Sequence, residues 1–110
     1  MEVEYVYKCD LVKVIDGDTV RLNVDLGFNM SFMSNFRLSD IDAPEIRGEE
    51  RPLGLESKNF LIEFLKDKEL AIRARKYTGK YGRYIVELYA NGELANDTLV
   101  KEGHAIRRIY

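Results

Sequence analysis

From Val20 onward the even positions are apolar: Val20, Leu22, Val24, Leu26, Phe28, Met30 and Phe32. The odd ones, Arg21, Asn23, Asp25, Asn29 and Ser31, are polar. A period of two gives a β-strand one face for a core and one for water. Gly27, in DLGFN, predicts a hairpin turn that divides this run into two antiparallel strands, the second ending on Phe36 and Leu38. Upstream, residues 3–15 alternate through Val3, Tyr5, Tyr7, Leu11, Val12, Val14 and Ile15, and predict a strand with an irregularity near Cys9–Asp10. The DGD sequence at 16–18 is a tight turn. IRGEERPLG at 46–54 has no apolar period and predicts a mobile loop. The spacing then becomes helical, with Leu55, Phe60, Leu61, Phe64 and Leu65 set among Glu56, Lys58, Glu63 and Lys66, and predicts an amphipathic helix over 55–66. ELAIRAR (69–75) and YIVELYA (84–90) return to strand patterning, separated by the glycine-flanked loop TGKYGR (78–83). Asn91–Gly92 is a hairpin signal. Asn96 as N-cap and Gly103 as C-cap predict a short helix over 97–102.

Three strands, a helix, two strands and a short helix define an α+β, mainly β, chain. The order predicts a small, partly open five-stranded barrel of the OB type, with the amphipathic helix between strands 3 and 4. Periodicity alone admits a mixed α+β sandwich nearly as well. The 110 residues fit one domain over 1–110 with a small core. A content of 45% hydrophobic and 33% charged residues excludes a disordered tail. No apolar run reaches membrane-spanning length. The first residues do not read as a secretion signal, so the expectation is a protein that stays inside the cell or one whose leader has been removed. A single cysteine, Cys9, excludes an internal disulfide. A net charge of −2 argues against passive coating of nucleic acid, though not against an enzyme whose acids hold a cation.

The candidate chemistry lies in turns. Asp18 follows one strand-to-strand turn, and Asp42 and Glu45 sit in another. Oxygen donors without cysteine suit a hard cation such as calcium or magnesium, held by few protein ligands and completed by water and substrate. Arg37 precedes the acidic turn and Arg83 ends the KYGR loop. Arginine's planar donor fork matches phosphate oxygens. Two arginines and a cation around a phosphodiester would stabilise the added charge of a five-coordinate phosphorus, and a spare carboxylate could activate water. Each feature also has a plainer reading. Asp16–Gly17–Asp18 is ordinary turn composition. Asp40 and Asp42 could end a strand, and Arg83 could pair with a surface acid. His104 reads as a surface or half-buried residue. Tyr81 is a better candidate for touching a nucleobase than the strand tyrosines Tyr84 and Tyr89.

Taken together, VIDGDTVRL (14–22), FRLSDIDAPE (36–45), KYGR (80–83) and NGELANDTLVKEGHA (91–105) resemble, in order, the staphylococcal nuclease (thermonuclease) family. The resemblance implies an OB-type barrel and a calcium-dependent phosphodiesterase with little sequence preference. Such an enzyme cuts DNA and RNA by water attack at phosphorus and leaves a 3′-phosphate. It implies one Ca²⁺ held by Asp18, Asp42 and the backbone carbonyl of Ala43. Glu45 would orient or deprotonate the water, and Arg37 and Arg83 would clamp phosphate. Lys80 and Tyr81 would lie beside the nucleotide's terminal phosphate, with Asp16 and Thr19 supporting the metal turn. Three departures stand out: a short loop after Glu45, no match for the family's last helix, and no clear match for a nucleotide-stacking tyrosine near the C-terminus. The second raises the expectation that another copy of the chain, or a further C-terminal segment, covers apolar surface. A non-enzymatic OB module binding nucleic acid or protein is the competing reading. It gives no reason for Asp18, Arg37, Asp42, Glu45 and Arg83 to occur together.

Overall fold

The computed structural model describes residues 4–78 and 83–108. Strand β1 (Val6–Asp16) pairs antiparallel with β2 (Thr19–Gly27), and β2 pairs with β3 (Met30–Leu38). On its other side β1 pairs with β5 (Leu70–Thr78), which pairs with β6 (Tyr84–Ala90). The circuit closes where β6 meets β3 in parallel, Phe36 opposite Tyr84, Arg37 opposite Ile85 and Leu38 opposite Val86. The result is a five-stranded OB-type barrel, closed and not partly open, and the sandwich alternative is excluded. Two-residue strands β4 (Ile41–Asp42) and β8 (Ile106–Arg107) pair beside it, and β7 (Glu93–Leu94) extends β6.

The barrel interior takes the residues that alternation selects. Val20, Leu22, Val24, Phe36, Leu38, Ile72, Val86 and Leu88 are buried. The alternation outlasts the core, however. Beyond Val24 the hairpin projects from the barrel, so Leu26, Met30 and Phe32 are exposed, and Phe28, at the tip, is 97% accessible. The irregularities of β1 lie at Leu11/Lys13 and Val14/Asp16 rather than at Cys9–Asp10. Cys9 points into the core, where burial, with help from the charge of Asp10, pushes its thiol up to about 12.

Helix α1 (Arg51–Leu65) begins earlier than the periodicity predicts, after a short 3₁₀ turn at Gly48–Glu50. Pro52 falls in its first turn, where a missing N–H costs nothing and a fixed φ favours helix entry. Its most buried residues are Gly54, Ser57, Leu61 and Leu65, with Leu55, Phe60 and Phe64 at the margins. Helix α2 (Ala95–Lys101) also begins earlier than predicted, and Asn96 is not its cap. Asn96 is buried instead. Its Oδ1 accepts from the Leu88 amide at 3.0 Å, and its Nδ2 donates to the Ser39 carbonyl at 3.0 Å and the Val86 carbonyl at 3.3 Å. One amide thus joins α2, β6 and the turn after β3. Gly103 ends α2 with φ of 79°, donating to Val100 at 3.1 Å while His104 donates to Leu99 at 2.8 Å. This left-handed ending reverses the chain and sends 104–108 back toward β4.

Candidate functional site

The β1–β2 turn, the end of β3 and the turn around β4 meet at one rim of the barrel. Thr19 lies opposite Arg37 in the β2–β3 ladder, and the Leu38 amide donates to the Asp18 carbonyl at 2.8 Å. Asp18 and Arg37 are therefore neighbours by strand register. The Asp18 carboxylate then bridges to the acidic turn: Oδ2 accepts from the Ala43 amide at 2.8 Å, and Oδ1 accepts from the Thr19 hydroxyl at 3.0 Å. The Arg37 guanidinium lies 3.3 Å from Asp18 Oδ2 and donates to Asp42 Oδ1 through its other terminal nitrogen. A single planar fork spans both carboxylates. The acids of DIDAPE thus face an arginine of their own chain.

Helix α1 seats this turn through small side chains. A Cβ on Gly54 would lie 2.1 Å from the Glu45 carbonyl oxygen, and one on Gly17 would lie 2.7 Å from Ser57 Cβ and 2.8 Å from Ala43 Cβ. The Ser57 hydroxyl donates to the His104 carbonyl at 2.6 Å, tying the helix to the returning C-terminal segment. His104 itself stacks on Phe60, with ring centroids 4.4 Å apart.

Asp16, Asp18, Arg37, Asp42, Ala43, Glu45 and Arg83 line one cavity of about 490 Å³. Glu45 and Arg83 are exposed, and among the described residues neither side chain has an ionic partner. Thr19 stands behind the cavity as a hydrogen-bond donor to Asp18. Lys80 and Tyr81 lie outside the described residues. Sequence reasoning missed the positioning roles of Gly17, Gly54, Ser57 and Asn96. It also assigned no place in this cavity to Arg108. Arg108 lines the cavity, and its Nε lies 2.8 Å from Asp42 Oδ2. The signal for Gly54 and Ser57 was their i, i+3 spacing within an amphipathic helix, where two small residues mark a close approach.

The donor set suits a hard cation. Burial, together with hydrogen bonding and charge from Asp16, pushes the Asp18 carboxyl up to about 6 against the pull of Arg37 and the Ala43 amide. A cation beside it would relieve that cost. Among the described residues no group of three or more His, Cys, Asp or Glu is placed to hold a metal ion. Asp18 and Asp42 bring two carboxylates to the cavity, and an open set of that kind leaves coordination positions for water and phosphate oxygens.

With fold and site in view, the relatives of the chain can be placed. The profile of the family described as Staphylococcal nuclease homologue matches residues 35–110, and the chain belongs to that family. It is 29% identical to the thermonuclease of Staphylococcus hyicus over 97% of this chain and 62% of the relative. With the thermonuclease of Staphylococcus intermedius it shares 29% identity over 89% of this chain and 58% of the relative. With a probable staphylococcal-like nuclease of Oryza sativa subsp. japonica it shares 33% over 63% of this chain and 17% of the relative. The chain therefore spans under two thirds of the length of each of these relatives.

Proposed function

We propose that this chain is a calcium-dependent nuclease that hydrolyses phosphodiester bonds of DNA or RNA with little sequence preference. The observation that carries the reading is the lining of one cavity by Asp18, Arg37, Asp42, Glu45 and Arg83, in a chain of the staphylococcal nuclease homologue family. Asp18, Asp42 and the carbonyl of Ala43 are the groups that would hold the ion, with Asp16 and Thr19 fixing the turn. When bound, calcium supplies positive charge to a non-bridging phosphate oxygen and lowers the cost of the charge that builds up at phosphorus. Arg37 and Arg83 donate to the non-bridging oxygens of the phosphate and stabilise the five-coordinate state. Glu45, exposed at the cavity edge, takes a proton from the attacking water. The water oxygen bonds to phosphorus as the bond to the 5′ oxygen breaks. The products are a 3′-phosphate and a 5′-hydroxyl that acquires a proton. Lys80 and Tyr81 complete the reading as contacts to the nucleotide. Every described group it uses lines one cavity of a single chain or, for Thr19, stands behind it, so it requires no second copy.

The test is digestion of single-stranded DNA and of RNA with calcium and with chelator. Cleavage that appears with calcium and vanishes in chelator is the expected result. An intact, folded protein that cleaves neither substrate with calcium, magnesium or manganese would overturn the reading in favour of a binding module.

A further inference from the structure

Arg108 has no place in the mechanism above, yet it lines the same cavity as Arg37 and Arg83. It is also held there. The Arg108 amide donates to the Asp40 carbonyl at 2.8 Å, and the preceding pair, Ile41 opposite Arg107, fixes the register of the segment against the acidic turn. The backbone is thus pinned while the side chain remains 52% accessible. Its guanidinium uses Nε for the Asp42 contact. A guanidinium carries five donors, so most of its donor capacity is left for another acceptor. Asp42, meanwhile, accepts two arginines, one on each carboxylate oxygen. Arg107, the preceding residue, points elsewhere and pairs with Asp97 at 2.9 Å.

We propose that Arg108 is a substrate-binding residue that contacts a nucleic-acid phosphate beside the scissile one, exchanging its contact with Asp42 for the phosphate. The inference rests on the nuclease reading for its substrate class. Its logic is charge accounting. Asp42 cannot give the same oxygen to a guanidinium and to a cation at full strength, so a cation entering at Asp42 loosens Arg108. A cationic fork anchored at the wall of this cavity then meets a phosphate chain. A phosphate contact differs from a structural one in a measurable way. Each phosphate neutralised on a single strand contributes about 0.7 to the slope of log Kobs against log salt concentration.

The experiment measures binding of a short fluorescein-labelled, cleavage-resistant phosphorothioate oligothymidylate by anisotropy across a salt series, at a constant calcium concentration so that the ion competes for Asp42. Parent, Arg108→Gln and Arg108→Lys are compared. The expected result is weaker binding by Arg108→Gln with a slope shallower by about 0.7, and restoration of the parental slope by Arg108→Lys. Calorimetric titration with calcium alone, without nucleic acid, should show Arg108→Gln binding the ion several-fold more tightly, because a competitor for Asp42 is gone. A parental salt slope in a folded Arg108→Gln, or calcium bound no more tightly, would overturn the proposal. Failure of the parent to cleave would sink the nuclease reading without touching either binding measurement. Cleavage by the parent with an unchanged slope in Arg108→Gln would sink this proposal alone.

Discussion

The floor and the edge of the cavity are built on opposite principles. On the floor, Asp18, Arg37 and Asp42 stand on or beside paired strands, and Arg37 forms an ion pair with each of the two carboxylates. At the edge, Glu45 and Arg83 stand on chain outside the ladders, exposed and without described ionic partners. The floor is finished before any ligand arrives, because the sheet register and the Asp18–Ala43 contact fix it. The edge has its backbone placed and its charges unspent. A site divided in this way can be broken in two different currencies: loss at the edge costs chemistry, and loss on the floor costs structure as well.

The largest effect should come from the edge. Glu45→Gln is expected to lower kcat by about 10²–10⁴-fold, the usual range for removing a general base, with an unchanged melting temperature. Parental cleavage rates in this variant would refute the role given to Glu45. Next is Arg37→Lys, expected to cost about 10²-fold or more in kcat/KM. A single ammonium cannot span Asp18 and Asp42 as the fork does, so thermal denaturation should also show a loss. An inactive variant with parental stability would mean that Arg37 is not the brace of the floor. Gly54→Ala joins the two regions. The added Cβ would meet the Glu45 carbonyl, so chemical denaturation should show a loss of about 1–3 kcal/mol, as overpacking does, with activity falling more than stability accounts for. A neutral effect would show that the acidic turn is not seated by the helix.

The smallest effect is that of pH on the floor. The Asp18 carboxyl, at about 6, lies above its ordinary 3.8. Between those values the native chain holds a proton that the unfolded chain has released. This group's contribution to stability is therefore full below about pH 4 and is lost as pH rises through about 6. In chelator, Asp18→Asn should flatten that part of the melting-temperature profile. An identical profile would place the proton elsewhere.

Much of the barrel was legible because alternation survives wherever one face of a strand is buried, as from Val20 to Val24. The same alternation misled beyond Val24, since a period of two marks a strand and not the depth at which it lies. The start of α1 was hidden because Arg51 and Pro52 look like loop residues, although proline is at ease in a first turn. Asn96 was misassigned because its cap preference is a local rule, while the buried groups it serves lie outside its helix, Val86 and Leu88 on β6 and Ser39 far back in the sequence. The residues proposed for the site were found through short motifs, and their convergence on one cavity was not legible in any one of them. Arg108 had no motif to announce it. Only the pairing of β4 with β8 brings it to Asp42.

The parallel seam between β3 and β6 is three residue pairs long, and Arg37 is its middle rung, opposite Ile85 and two residues along from Arg83, which immediately precedes β6. These strands are distant in sequence, so joining them carries a large loop-closure cost and belongs to the slow, non-local part of folding. Completing the cylinder and bringing the two guanidinium groups together are thus a single event. A molecule that zips its hairpins but fails at this join would retain most of its ladder hydrogen bonds and leave Arg37 and Arg83 apart. On gentle heating, catalysis should accordingly fade ahead of the far-ultraviolet β signal, and simultaneous loss of the two would show that the join is no weaker than the rest.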